Sequence, residues 1–541
     1  MIAPARVIAP GLLLVMLAGC ADRAVELFEP DLDRHLLRLR EDKASLTDRL
    51  PVVAPPVAVE PEFPGEGPIE LTVEQAVVLA LGRNRDLSVA RLGPVIAGAF
   101  EQIERGRFDP EVFGEASFAR EESLESARST GDQFSVRGDD GSVAAGIRGE
   151  TPLGTTLELR ADQRRTISDR APEQQSARVG LTITQSLLRG FGPAVNLVSV
   201  RQASLESEAS LYELRGFVEA LVAETETVYW EHLLAQRKIE IFERSLELAR
   251  SQAEQLDQRI EIGAVPRTEA AAARSEVALR EQALIDARSE LQRTTLRLAR
   301  LTNSPTDRID DRPVVAVSEV SLAGSQLGDL AERIDLARRM RPDLNEARLR
   351  LEQGRLETIR SSNGLLPRLD LFLALGKTGF ANTFSASFRE LDGPTYDFTA
   401  GVTLSQSLGR EAERGAHSAA IATREQAAAA VANLEQLVEV DVRLAAIDAE
   451  RALQQIAATI TTRELQEETA RAELERFDVG ASTALLVAQA QRDLLASQIA
   501  EVEAVAAHRI ALVSLHLAEG TLLERRGVSV GEPAQRSLER R

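Results

Sequence analysis

The chain has 541 residues, with 84 acidic and 64 basic side chains, so its formal net charge is −20. This charge argues against a nucleic-acid surface, and the single Trp and three Tyr argue against a large aromatic core. Ala, Leu, Glu, Arg and Gln dominate, as is typical of long helices that pack through small residues. The one cysteine excludes an internal disulfide bond.

The N-terminus has the pattern of a secretory signal peptide. Arg6 precedes an apolar run from Gly11 to Leu17, which is too short to span a membrane as a mature helix. The sequence Leu-Ala-Gly-Cys, ending at Cys20, resembles a bacterial lipobox. That resemblance implies removal of residues 1–19, acylation of Cys20 and, because Ala21 follows the cysteine, transfer to the outer membrane. The alternative is an ordinary signal peptide with an incidental cysteine.

Residues 20–70 are predicted to be a tether, with a short helix over 22–50 and a proline-rich linker from Pro51 to Pro68. A helix with an apolar stripe is predicted from Thr72, its N-cap, to about Arg105. Residues 111–187 then change to Gly, Thr, Ser and alternating segments. This change predicts strands and loops.

Three pairs of segments show that the chain is internally duplicated. The segment Gly180–Leu187 recurs at 401–408 with an offset of 221 residues. Asn84–Leu87 matches 341–344 at an offset of 257, and Arg259–Ala264 matches 476–481 at 217. Each half therefore has the order helix, strands, long helix, glycine turn and long helix, over 71–303 and 327–522.

The strands predicted over 368–408 have one apolar and one largely polar face. The apolar positions are Leu369, Leu371, Leu373 and Leu375, then Tyr396, Phe398, Ala400, Val402 and Leu404. A β-sandwich alternates in the same way, and the signal of a membrane barrel is weak in each segment. Strands followed by such long helices, in an exported protein with a lipid anchor, favour an outer-membrane barrel.

Long helices are predicted from about Ala203 to Ile262 and from Arg410 to Val479, each roughly 90 to 100 Å long at about 1.5 Å per residue. Apolar residues three and four positions apart indicate coiled-coil packing. Gly263 and Gly480 each precede a return helix, so each is expected to mark the turn of an antiparallel hairpin. Between the repeats, 304–326 is predicted to be a small mixed segment, and 523–541 a charged, poorly ordered tail.

In their duplicated order, these motifs resemble those of TolC-like outer membrane efflux proteins of the lipid-anchored kind, from Leu71 to Leu522. The motifs are Leu71–Ala76 with Asn84–Leu87, the paired Gly180 and Gly401 strands, Leu365–Pro367, and the turns at Gly263 and Gly480. The resemblance implies a mainly α fold with a membrane β-barrel part. In a homotrimer, strands would close one outer-membrane barrel, and the coiled-coil helices would form a hollow periplasmic α-barrel.

The function implied by the resemblance is that of a passive exit duct in a tripartite efflux or type I secretion system. Its partners would be a periplasmic adaptor, an inner-membrane transporter and outer membrane lipid. The alternative is a periplasmic adaptor or a structural coiled-coil lipoprotein, although adaptors normally have a single hairpin. Neither an enzyme nor a cofactor or metal site is expected, because the five histidines are scattered and catalytic motifs are lacking.

The number of strands is expected to depart from the family pattern of four per protomer. Between the helix motif and the strand motif the offset falls from 257 to 221, so the first half has 36 more residues in this region. This length is enough for one added hairpin, with its turn at Thr151–Thr155 between Val143–Glu150 and Thr156–Asp162. A longer extracellular loop is the alternative.

The resemblance also implies a gate where the hairpin tips converge. In the family, acidic residues shortly after each turn glycine narrow the pore and bind cations. Glu269 stands at that position in the first repeat, whereas Leu486 and Gln489 stand at the acidic positions of the second. One ring of carboxylates with an apolar constriction that closes by dewetting is therefore expected.

A second acidic ring is a further expectation. Glu276 and Asp493 match each other across the repeats, and they would form such a ring if they faced the lumen. The alternative is that these carboxylates lie on solvated helix faces.

Overall fold

The structure is a computed structural model that describes residues 50–54, 68–126, 131, 133–169, 171–263, 266–267, 269–303, 314–318 and 328–531. Its contacts divide the chain into a unit of residues Val53–Val530 and a second unit formed by both termini. The architecture below is that of the first unit. Cys20 and the predicted signal peptide lie outside the described residues, as does most of the predicted tether.

The described chain is mainly helical, with one large sheet. In chain order the helices are α1 (Val73–Arg83), α2 (Arg85–Ala90), α3 (Leu92–Gly106), α4 (Pro193–Asn196), α5 (Val198–Glu261), α6 (Glu269–Leu301), α7 (Leu330–Met340), α8 (Pro342–Gly364), α9 (Phe384–Arg389), α10 (Glu411–Asp478), α11 (Ala484–Ala518) and α12 (Leu522–Arg525). A turn of 3-10 helix, Glu390–Asp392, follows α9. The strands are β1 (Val52–Ala54), β2 (Ile69–Leu71), β3 (Glu111–Ser126), β4 (Gln133–Glu150), β5 (Thr155–Ser168), β6 (Ala171–Ser186), β7 (Val314–Ala316), β8 (Arg368–Ala381), β9 (Tyr396–Ser405) and β10 (Ser529–Gly531).

Helix α1 begins as predicted, because Thr72 caps it in a capping box with Gln75. The prediction of one continuous helix to Arg105 is wrong, since the chain breaks at Asn84. The Asn84 side-chain oxygen accepts a hydrogen bond from the Leu87 amide at 2.9 Å and so caps α2. Its amide group donates to the Leu301 carbonyl at 3.1 Å, a partner that local sequence patterns do not reveal.

The second repeat breaks at the matching position. Arg341 has extended backbone, with ψ of 123°, and Pro342 starts α8. The Arg341 guanidinium binds the carboxylates of Asp343 and Asp441 at 2.6 and 2.8 Å. The duplicated motif around Asn84 and Arg341 is therefore a helix break in both halves.

Two helical hairpins dominate the fold. Helices α5 and α10 contain 64 and 68 residues, which gives each a length of about 100 Å at about 1.5 Å per residue. Helices α6 and α11 return along them, and α5 also packs against α11. The predicted hairpins are confirmed, with the long helices ending within a few residues of the expected positions.

Six antiparallel strands form the large sheet, in the order β3-β4-β5-β6-β8-β9. The added hairpin is confirmed, because β4 and β5 are joined by a tight turn in which Gly154 donates to the Thr151 carbonyl at 2.9 Å. The first half contributes four strands and the second half two. The alternative of a longer loop is excluded.

A small two-stranded sheet lies beside the middle of α5. Strand β7 pairs in parallel with β2, so the inter-repeat segment joins the first repeat here. The buried Tyr229 hydroxyl donates to the Leu71 carbonyl at 2.9 Å. His232, also buried, contacts the Val314 carbonyl at 3.0 Å. These contacts fix the short sheet to the middle of α5.

The expectation of a poorly ordered tail from residue 523 is wrong for 523–531. Leu523 in α12 and Val528 beyond it are buried in the main hydrophobic core. Arg526 forms a double hydrogen bond with the fully buried Glu226 of α5, at 2.6 and 2.5 Å. The charged composition predicted solvation, but Arg526 pairs with a buried carboxylate, and Leu523 and Val528 pack in the core. Residues 532–541 lie outside the described residues.

Candidate functional site

The register of the sheet places apolar residues on one continuous face. In the row through Leu159, the neighbours across the strands are Ile147, Leu181, Leu375 and Phe398. This row continues from Ile147 to Val112 on β3. The next row on this face contains Gly149, Leu157, Ile183, Leu373 and Ala400. Much of this face is exposed to solvent, with Val112 76% and Phe398 59% exposed. So large an exposed apolar surface marks an interaction with lipid or protein.

The opposite face of the sheet carries charge. Arg148 binds Glu111 at 2.8 Å, and Arg160 binds Glu115 at 3.3 Å. Further along, Arg178 of the first repeat binds Asp397 of the second at 2.7 Å. Most apolar residues of this part of the sheet therefore lie on one face and these ion pairs on the other, as they do between the lipid and the lumen of a membrane barrel.

The apolar residues form a band that stops at a defined level, at the end of the sheet farthest from the long helices. On β9 it runs from Leu404 to Tyr396, a span of about nine residues, which is the length that a tilted strand needs to cross a bilayer. Beyond this level the same face carries the ion pairs Arg120–Asp139 and Arg165–Glu173, at 2.7 and 2.6 Å. The charges therefore end the apolar band.

The two predicted turn glycines lie at the tips of the hairpins. Gly263 and Gly480 have φ of +76° and +77°, a left-handed conformation that favours glycine. Each amide donates to a carbonyl three residues earlier, Ile260 or Phe477, at 3.0 Å. The glycines thus end α5 and α10 and start the return.

The three predicted gate residues lie just after these turns. Glu269 is the first residue of α6 and is half-buried. Leu486 lies in the first turn of α11, capped by Thr483, and is 44% exposed. Gln489 is exposed one turn further on. Among the described residues, no hydrogen bond or ion pair involves the Glu269 carboxylate.

An ion pair joins the two hairpin tips of one chain. The Arg259 guanidinium binds the Asp478 carboxylate at 2.8 Å and lies 5.4 Å from the centre of the Phe477 ring. Because these residues end α5 and α10, this contact links the turns of the two hairpins directly. Sequence reasoning missed the pair, since neither residue has a distinctive local pattern.

The expectation of a second acidic ring is wrong for Glu276. This residue is only 7% exposed, and its carboxylate binds Arg280 at 2.5 Å and Arg492 at 3.7 Å. It therefore holds helices α6 and α11 together inside one chain. Asp493, its counterpart, is exposed. The two matched carboxylates do not share one environment.

Buried carboxyl groups lie on α5 instead. Glu219 on α5 is 2% exposed, and burial raises its pKa from 4.5 to about 7, although the nearby Arg215 opposes this shift. The distance between the Arg215 and Glu219 side chains is 3.8 Å, too long for a hydrogen bond. Sequence reasoning missed this group, because nothing in the helical pattern marks Glu219 as buried.

Replacing Glu219 with glutamine is expected to remove a pH dependence of stability. A carboxyl group with a raised pKa contributes most stability below pH 4.5, and that contribution is lost as the pH rises to about 7. The loss amounts to about 3 kcal/mol. Thermal unfolding of Glu219→Gln should therefore vary less with pH across this window than that of the wild type. Glu224→Gln, at an exposed position of the same helix, should behave like the wild type; equal pH profiles for all three proteins would contradict the assignment.

The four histidines in the described part of the chain lie on helices α5, α10 and α11. Among the described residues, no group of His, Cys, Asp or Glu side chains has an arrangement suited to a metal ion. His508 is buried, and His516 on the same helix is half-buried. Burial lowers the pKa of His516 to about 3, and the neighbouring Arg525 acts in the same direction. Both side chains are packing residues.

In the described part of the chain, no helix combines the length and hydropathy needed to cross a bilayer.

A model of the outer membrane efflux protein family matches residues 76–304 and 333–521, which is most of the chain. The protein therefore belongs to the outer membrane efflux protein family. Its fold class is the one predicted, mainly helical with a strand part and an internal repeat.

The fold is similar to solved outer membrane channels. The CmeC outer membrane channel of Campylobacter jejuni is 17% identical, over 86% of this chain and 87% of that one, with a TM-score of 0.62. A membrane protein from Pseudomonas aeruginosa is 22% identical, over 83% and 93%, with a TM-score of 0.63. The open state of the MtrE outer membrane channel of Neisseria gonorrhoeae is 17% identical, over 87% and 99%, with a TM-score of 0.60. No curated protein sequence matches the chain.

Proposed function

We propose that the protein is a passive, homotrimeric exit duct in the outer membrane, within a tripartite efflux or type I secretion system. A periplasmic adaptor would join it to an inner-membrane transporter, which supplies the energy. The observation that carries this proposal is the exposed apolar face of a sheet that continues into helices of 64 and 68 residues. Both features are explained if the sheet lies in lipid and the helices, each about 100 Å long, extend into the periplasm.

The edges of the sheet support a trimer. Within the described residues, β3 and β9 each pair with one neighbouring strand, so each has a free edge. An open edge is not tolerated in a bilayer, because its backbone groups have no water to bind. Pairing β9 of one copy with β3 of the next removes both edges. Three sheets of six strands then close a barrel of 18 strands, compared with 12 in the family pattern.

The proposed gate lies at the hairpin tips. Threefold symmetry would bring three Glu269 carboxylates together, where they attract cations, and three Leu486 side chains would add an apolar constriction. The Arg259–Asp478 pair holds the two tips of each chain together and so favours the closed arrangement. The lipid anchor at Cys20 would hold the N-terminus at the same membrane.

Conductance in planar bilayers tests the duct and its gate. Glu269→Gln is expected to weaken block by divalent cations and to flatten the pH dependence of the current. Leu486→Ser is expected to raise the conductance, because a polar constriction stays wet. Glu468→Gln, at an exposed position on α10 away from the turns, is the control and should match the wild type. Unchanged cation block in Glu269→Gln would remove Glu269 from the gate, and an absence of any current would contradict the channel.

The alternative of a periplasmic adaptor or structural lipoprotein makes a different prediction. An adaptor is not expected to expose an apolar sheet face with free edges at one end of its helical hairpins. Outer membrane fractions should contain a trimer that dissociates on heating. Release of the protein from the periplasmic face of the membrane without detergent would instead favour the adaptor or structural lipoprotein.

A further inference from the structure

The loop between β8 and β9 contains a short helix, α9, that the sequence did not predict. Its position on the sheet follows from Gly379, which shares the apolar face with Leu373 and Leu375. A Cβ atom built at Gly379 would lie 2.0 Å from the Ser387 carbonyl oxygen of α9. Helix α9 therefore lies directly on the apolar face, and only glycine leaves room for it at this point.

Other contacts give the same placement. Ala177, the neighbour of Gly379 across the strands, and Ser387 are both fully buried. Lys377, on the same face, donates a hydrogen bond to the Gly393 carbonyl at 2.9 Å, just beyond the helix. The loop thus folds down over the outside of the sheet.

The outer surface of α9 is aromatic. Phe384 and Phe388 lie one helical turn apart, their ring centroids are 5.1 Å apart, and they are 57% and 38% exposed. On the neighbouring strand, Tyr396 is 78% exposed on the same face of the sheet. The end of the helix is polar, with Arg389 and Glu390 exposed.

Helix α9 lies at the level of the sheet where the apolar band ends. Gly379 lies in the row of Ala177 and Gln163, and the next row on this face contains Arg165, which pairs with Glu173. Aromatic side chains with adjacent charged groups are the side chains found where hydrocarbon meets headgroups.

We propose that α9 is an interfacial anchor, whose Phe384 and Phe388 rings insert into the outer membrane lipid beside the barrel. This inference rests on the proposed membrane barrel. Continuity with the apolar band selects lipid as the partner. The helix would fix the height of the sheet in the bilayer and shield the top of β6 and β8.

Tryptophan fluorescence of the full-length protein in phosphatidylcholine vesicles tests the anchor, with acyl chains brominated either near the headgroup or near the chain end. The variants are Phe384→Trp, Phe398→Trp in the apolar band and Thr399→Trp on the charged face. The native Trp230, buried in the core, is subtracted as the parent signal. Phe384→Trp is expected to lose emission most strongly with bromine near the headgroup, and Thr399→Trp to lose none.

Two results would overturn the anchor, and they have different meanings. If Phe398→Trp is quenched by lipid while Phe384→Trp is quenched only by aqueous iodide, the helix stands in water or against another protein and the barrel is retained. If neither is quenched by lipid, the sheet is not in the membrane and the proposed function fails as well.

Discussion

Replacing Arg526 with alanine is expected to lower the free energy of unfolding by about 3 to 5 kcal/mol, because it leaves the buried carboxylate of Glu226 without a cation. Both guanidinium hydrogen bonds, at 2.6 and 2.5 Å, would be lost together. Burial already raises the pKa of Glu226, and Arg526 opposes that shift. The variant should therefore unfold at a lower temperature in detergent, as followed by circular dichroism.

A surface ion pair provides the matched control. Arg293 is 75% exposed and binds Glu290 at 3.3 Å, so Arg293→Ala should change the free energy by about 0 to 1 kcal/mol. Because α12 packs on the middle of α5, the Arg526 effect also tests whether the chain end is part of the core. Equal stability of the two variants would show that this segment contributes little.

Arginine at Leu373 is expected to destabilise the membrane-inserted protein by about 2 to 4 kcal/mol, because a charge would then face hydrocarbon near the middle of the apolar band. Leu373 pairs across the sheet with Ile183 and Ala400, both on the apolar face. Folding into vesicles of phosphatidylcholine, measured by urea titration, gives the difference.

The neighbouring position supplies the control for this prediction. Ala374 points to the opposite face, where it lies between Thr182 and Thr399. Arginine there should remain solvated in the lumen and cost far less. If Ala374→Arg were the more destabilising variant, the assignment of the two faces would be reversed.

Features with a local cause could be predicted from the sequence. Gly263 and Gly480 end helices because glycine adopts the left-handed conformation, and the apolar patterns beside them have helical period. The duplicated Gly180 and Gly401 strands became β6 and β9 because their alternation has the period of a strand. The added hairpin followed from the difference between repeat offsets.

Features that depend on residues distant in the sequence could not be predicted. The break at Asn84 depends on the Leu301 carbonyl, 217 residues away in sequence. Glu276 resembles any exposed helical carboxylate until Arg492 of the other hairpin is brought beside it. Helix α9 is only six residues long, too short to give a periodic signal, and it is held by Gly379 on a strand.

The proposed gate depends on contacts between copies of the chain. Glu269 and Leu486 lie where the sequence placed them, after their turns, yet their proposed function depends on three copies meeting at one axis. The Arg259–Asp478 pair was not predicted, and it shows that the two tips of one chain are joined.

Electron cryomicroscopy of the full-length protein in lipid nanodiscs tests whether three copies close one membrane barrel. We expect a threefold particle with 18 strands in one ring, β9 of each copy paired with β3 of the next, and the apolar face toward lipid. The helices should continue from this ring as a hollow cylinder whose narrow end contains Glu269. A particle with the charged face of the sheet toward lipid, or with sheets that do not close into one ring, would rule out the proposed barrel.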